Sequence, residues 1–116
     1  MSEQEIREFI ENEIIVDCYD EAEQNMSWYY YVESGLKFPF KAKIEIKKQD
    51  GSFIKKEVEV LGLATSENDF GGKHFYVEIT IGDDTREVPM SRLIDVDAND
   101  ETLETLAVWN FWLKDY

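Results

Sequence analysis

From Glu3 to Glu33 the chain contains no Pro or Gly, and Ile6, Phe9, Ile10, Ile15, Cys18 or Tyr19, Ala22, Met26 and Tyr29 recur at steps of three and four residues. That spacing places them on one side of an α-helix. Ser2 followed three residues later by Glu5 is a capping-box start, and Ser34-Gly35 with Pro39 soon after is a stop. The expectation is a long helix, or a helix pair if the chain breaks near Asn12.

The period then changes to two. Ala42, Ile44 and Ile46 alternate with Lys41, Lys43, Glu45 and Lys47, the pattern of a strand with one wet face. Gln49-Asp50-Gly51-Ser52 turns the chain into a second strand over Ile54 to Leu63, with Val58 and Val60 inward. A third covers His74 to Ile81, with Phe75, Val77, Ile79 and Ile81 inward, and Gly82-Asp83-Asp84 turns it into a fourth over Thr85 to Met90. The chain continues through Ser91 to Val96 and ends in a helix from Asp100 to Lys114. Helix, four- to five-stranded antiparallel meander, helix is an α+β order, and its sharpest version is a small SH3-like barrel with helices against the sheet. The irregular segment Thr65 to Lys73, with Glu67, Asn68, Asp69, Gly71 and Gly72, is the longest connection.

A chain of 116 residues suits one domain spanning residues 1–116, and 43% hydrophobic residues are enough to form a core rather than a disordered acidic chain. Charge narrows the possibilities further. Against 26 Asp and Glu stand 12 Lys and Arg, for a net charge of -14. Nucleic acid and anionic membranes are disfavoured, because both need Lys and Arg at the contact. Cations and basic proteins are the favoured partners. The excess is concentrated: residues 1–34 hold ten acidic residues and one basic, whereas 35–60 hold four acidic and seven basic. No run is apolar for long enough to span a bilayer, and Met1 to Arg7 lack the features of a secretion signal, so a cytoplasmic location is expected. Asn25-Met26-Ser27 is a sequon without export to use it.

Catalysis finds little support. One His and one Cys are present, with no Gly-rich phosphate loop and no Ser elbow, so no enzyme is expected. Cys18 alone forms neither an internal disulfide nor a Cys-rich zinc site. The acids are more suggestive. On a continuous helix Glu13, Asp17, Asp20 and Glu21 would fall on one stripe with Glu23 beside it, crowding like charges at a cost that a cation relieves. Calcium takes six to eight oxygen ligands in irregular geometry, so the stripe would supply part of a shell and a loop or backbone carbonyls the rest. The plain alternative is a solvated acidic face.

Asp95-Val96-Asp97-Ala98-Asn99-Asp100-Glu101 begins like an EF-hand loop, but its sixth position is Asp100 where Gly makes the turn, and its twelfth is Leu106 where a bidentate Glu belongs. An EF-hand is excluded. Asp95 and Asp97 stay as candidate oxygen donors, while Asp97 or Asn99 as the helix cap explains the same residues without metal. Glu67 with Asp69, and Asp83 with Asp84, are turn residues first and loop donors second. Of the aromatic groups Trp28-Tyr29-Tyr30-Tyr31 and Trp109, Phe111, Trp112 and Tyr116, most belong to the core. Consecutive rings cannot all point inward, so one or two of Trp28, Tyr30 and Tyr31 lie near the surface.

Ile15-Val16-Asp17-Cys18-Tyr19-Asp20-Glu21, then Glu23-Gln24, Trp28-Tyr29, Tyr31, Leu36 and Phe38-Pro39-Phe40-Lys41-Ala42, resemble the small acidic calcium-binding proteins first described in cyanobacteria, the CcbP type. Val88-Pro89-Met90-Ser91-Arg92-Leu93 and the Trp-containing final helix extend the likeness over nearly the whole chain. The resemblance implies reversible Ca2+ binding by a compact domain without an EF-hand, as a buffer or sensor. Asp17, Asp20, Glu21 and Glu23 stand inside the matching block. The rival reading is an acidic module that needs no metal and docks on a basic protein through the helix stripe and an exposed Trp28 or Tyr30.

Overall fold

A computed structural model describes residues 2–66, 69–71 and 74–115, the side chain of residue 115 excepted. Its elements run α1 (Glu3–Phe9), a π-helical turn (Ile10–Ile14), α2 (Glu21–Gly35), β1 (Phe40–Lys47), β2 (Phe53–Leu63), β3 (Tyr76–Ile81), β4 (Asp84–Pro89), a 3-10 turn (Met90–Arg92), β5 (Ile94–Asp97) and α3 (Asp100–Asp115). The chain is therefore α+β. It divides into a helical unit, holding the residues up to Lys37, the loop from Ser66 and the chain from Asn99, and a sheet unit of Phe38–Thr65 with His74–Ala98.

In the helical unit Ser2 and Glu5 form the expected capping box, Glu5 N–H donating to Ser2 Oγ at 3.2 Å and Ser2 N–H to Glu5 Oε1 at 3.3 Å. Ile6, Ile10 and Ile14, four residues apart, are all buried. The helix does not run on to Glu33. Ile15 N–H bonds to Ile10 O, five residues back, in a wide final turn, and Cys18 N–H then bonds to Ile15 O. Asp17 has φ 59° and Asp20 is extended, so the chain between Ile14 and Glu21 is not helical. The break therefore falls after Ile14 rather than near Asn12, giving the helix pair rather than the single long helix. Its cause is local: Ile14-Ile15-Val16 is a β-branched run of modest helix propensity, and short Asp side chains favour turns and caps over helix interiors.

α2 buries Trp28, Val32 and Gly35, and α3 buries Thr102, Thr105, Leu106, Val108, Trp109 and Phe111. Trp28 is the hub of the rings, with centroids 5.0 Å from Trp109, 5.1 Å from Trp112 and 5.9 Å from Tyr31. Arg7 lies over the Phe111 ring at 5.4 Å. The N-terminus of α3 is capped by Asn99, whose Oδ1 accepts Thr102 N–H at 2.9 Å. Thr102 Oγ1 in turn accepts Lys37 N–H at 3.0 Å.

The sheet unit is one antiparallel sheet in the order β4-β3-β2-β1-β5. β1 and β2 pair from Phe40↔Val60 to Lys47↔Phe53. Their connection is fixed by Asp50 Oδ1, which accepts both Ser52 N–H at 2.9 Å and Ser52 Oγ–H at 2.6 Å, with Gly51 at φ 90°. Those two bonds hold the Asp50 carboxyl below its ordinary range. Phe40, Ala42, Ile44, Val58, Val60, Val77, Ile79 and Val88 are buried, which is the alternation the sequence predicts. After the 3-10 turn, β5 returns to the free side of β1, with Lys41 opposite Asp97. This is the fifth strand of the expected four- to five-stranded meander, formed where the chain continues from the fourth through Ser91 to Val96. The result is the five-stranded antiparallel sheet of the expected α+β order.

Candidate metal site

Five of the acids singled out from the sequence lie along the chain within and on either side of the break between the π-helical turn and α2. Glu13 is exposed in that turn, Asp17 is exposed at φ 59°, Asp20 is the N-cap of α2, and Glu21 and Glu23 stand in its first turn. Asp20 Oδ1 accepts Glu23 N–H at 2.9 Å, and Glu23 Oε2 accepts Tyr19 N–H at 3.0 Å. Two carboxylates are thus fixed at one helix end, each through one oxygen. Cys18, half-buried, ties the same segment to α2 through Sγ, 3.4 Å from Ser27 Oγ.

The single helical stripe predicted from the sequence does not form, because positions 13 and 17 precede a break and position 20 caps a new helix. Only Asp20 and Glu23 are tied together, through the cap. Asp20, Glu21 and Glu23 stand at a helix start, whose N–H groups complement negative charge.

Asp95 and Asp97 belong to the sheet unit. Asp95 has φ 47° and pairs with Lys55 Nζ at 3.2 Å. Both line a cavity of about 510 Å³ together with Lys41, Lys43, Glu57 and Glu59. Glu57 and Glu59 were not singled out from the sequence; they face this cavity because β2 sets them opposite Lys43 and Lys41. Two ammonium groups in the lining make it a mixed-charge cleft, less hospitable to a cation than an all-carboxylate site.

Of the loop donors, Asp69 Oδ2 accepts Ser66 Oγ–H at 2.8 Å and Asp84 lies 3.8 Å from Arg86, both ordinary turn contacts. Glu67, Asn68, Gly72 and Lys73 lie outside the described residues, as does Tyr116. His74 is exposed.

Among the described residues no group of three or more Asp, Glu, His or Cys side chains is arranged to hold a metal ion. The donor chemistry at the start of α2 fits calcium, being hard carboxylate oxygen on exposed side chains, but the carboxylates do not form a ready-made cage. A bound ion there would draw its remaining ligands from backbone carbonyls, water or side chains that turn toward it. Among the described residues no helix is long and apolar enough to cross a membrane.

Residues 8–113 match a protein-family model, Calci_bind_CcbP, described as calcium binding. The crystal structure of Anabaena CcbP superposes with a TM-score of 0.78 at 38% identity, covering 97% of this chain and 92% of that one. A calcium-binding protein solved in its calcium-binding form superposes with a TM-score of 0.73 at 37% identity, covering 96% and 90%. No curated protein matches the chain.

Proposed function

This chain belongs to the CcbP family of calcium-binding proteins, and from that premise we propose that it binds Ca2+ reversibly through the carboxylates at the start of α2, as a buffer or sensor without catalytic activity. Asp17, Asp20, Glu21 and Glu23 are the core of the donor set and Glu13 is a further donor. The observation that carries this reading is the crossed pair Asp20 and Glu23, fixed at one helix end by 2.9 and 3.0 Å bonds that engage one oxygen of each. The second oxygen of each is outside those bonds, so both carboxylates can add a ligand without giving up the cap. Calcium suits this arrangement better than magnesium, because its larger and irregular shell accepts water and carbonyl ligands, whereas magnesium demands a tight octahedron.

Asp95 and Asp97 are a weaker second donor pair, since an ion there would compete with Lys55, Lys41 and Lys43. The net charge of -14 that favours a cation also favours a basic protein partner over nucleic acid or an anionic membrane. A cytoplasmic setting agrees with this reading.

Thermal melting of chelator-stripped protein tests it. A ligand at one hundred times its dissociation constant stabilises the folded state by about 2.7 kcal/mol. Millimolar calcium should therefore raise the Tm by several degrees and equal magnesium by much less. An unchanged Tm in calcium would count against calcium binding altogether.

A further inference from the structure

α2 presents a second feature that shares only Glu23 with the proposed calcium site. Its outward face carries Glu23, Met26, Tyr30 and Glu33 at steps of three and four residues, opposite the buried Trp28 and Val32. Met26 is 48% and Tyr30 49% exposed, so two large apolar side chains one turn apart form a continuous patch. A carboxylate stands at each end of it, and α2 contains no Lys or Arg. Glu23 and Glu33 are separated by about 15 Å along the axis, at 1.5 Å rise per residue. Tyr30 is supported from the side by Tyr29, their rings edge-to-face at 5.9 Å.

We propose that this face of α2 is a docking surface for a basic amphipathic segment of a partner protein, with an apolar residue seated between Met26 and Tyr30 and cationic residues at Glu23 and Glu33. Charge complementarity selects that occupant. A second copy of this chain would set carboxylates against carboxylates, and an anionic lipid surface meets the same repulsion, reinforced by the nine net negative charges of residues 1–34. A basic segment gains attraction at both ends, and a guanidinium additionally stacks on the Tyr30 ring. Trp28, which the sequence also offered as a docking ring, is buried and takes no part.

The surface is tested on the full chain in chelator, so that the result stands apart from calcium binding. The probe is a labelled synthetic amphipathic peptide, with Arg at both ends and Leu at its centre, followed by fluorescence anisotropy. The double variant Met26→Ser/Tyr30→Ser changes only exposed positions, and its melting curve reports whether the fold is kept. It should bind the peptide at least about tenfold more weakly, the scale of one lost anchoring contact. The single variant Glu33→Lys should weaken binding too, and a peptide with Ser in place of Leu should bind as poorly to the natural chain as the original does to the double variant. Absence of binding by the natural chain, equal affinity for the two peptides, or a double variant that binds as well as the natural chain would each overturn the proposal, the last two by showing simple attraction to a polyanion.

Discussion

Asp20 and Glu23 cross at the start of α2: the first carboxylate accepts the backbone N–H of Glu23, and the second reaches back to the N–H of Tyr19. The same two side chains that begin the helix are therefore those proposed to meet calcium. Helix capping and ion binding can be separated by substitution, because capping needs a short oxygen acceptor and calcium needs charge.

Asp20→Ala should lower stability in chelator by about 1 kcal/mol, the usual worth of an N-cap, whereas Asp20→Ser should stay within a few tenths of a kcal/mol of the natural protein. Both should weaken calcium binding. Denaturant unfolding with and without calcium checks the pair; equal calcium affinity in Asp20→Ser and the natural chain would leave Asp20 as a cap alone.

Gly35 of α2 faces Thr105 of α3 with no room for a side chain: a Cβ there would overlap Thr105 Oγ1 and stand 3.0 Å from its Cγ2. Gly35→Ala should cost about 1–3 kcal/mol through overpacking. In a double-mutant cycle, Thr105→Ala should recover part of that cost, since the two positions are in contact. Additive effects would show that the helices part readily at this point.

Burial pushes the Tyr31 hydroxyl above its ordinary value of 10.0, with a hydrogen bond to Thr105 partly offsetting it. The unfolded chain ionises Tyr31 first, so the contribution is complete below pH 10 and is lost as pH rises through the higher folded value. Stability measured from pH 9 upward should fall less steeply in Tyr31→Phe than in the natural protein. Parallel curves would place the alkaline loss elsewhere.

Asp95 occupies the left-handed backbone region at φ 47° and pairs with Lys55. Asp95→Ala should cost about 1 kcal/mol, because Ala tolerates that conformation poorly. Asp95→Asn should cost less, Asn being at ease there. Thermal melting of the two variants checks the order.

Much of the sheet was legible in the sequence because its signal is local: Ala42 and Ile44, Val58 and Val60, Val77 and Ile79 alternate with polar residues, and all are buried. The capping box at Ser2 was legible for the same reason. The break before α2 was misplaced because apolar steps of three and four continue through Ile15 to Ala22, and periodicity does not register that Asp17 turns left-handed while Asp20 caps. Residue types in the acidic set could be named from the sequence, but their placement on a turn and a helix cap rather than along one helix could not. Glu57 and Glu59 were missed because the cavity they line depends on strand register, Lys41↔Glu59 and Lys43↔Glu57, which no local pattern encodes.

Calcium titration calorimetry on the stripped natural chain and two isosteric double variants tests the location of the site most directly. Asp20→Asn/Glu23→Gln keeps both backbone acceptors while removing charge, and Asp95→Asn/Asp97→Asn does the same in the sheet unit. The first should weaken calcium binding by at least about tenfold, a loss of roughly 1.4 kcal/mol, while the second leaves it nearly unchanged. Full affinity in the first variant together with a loss in the second would contradict a site at the start of α2.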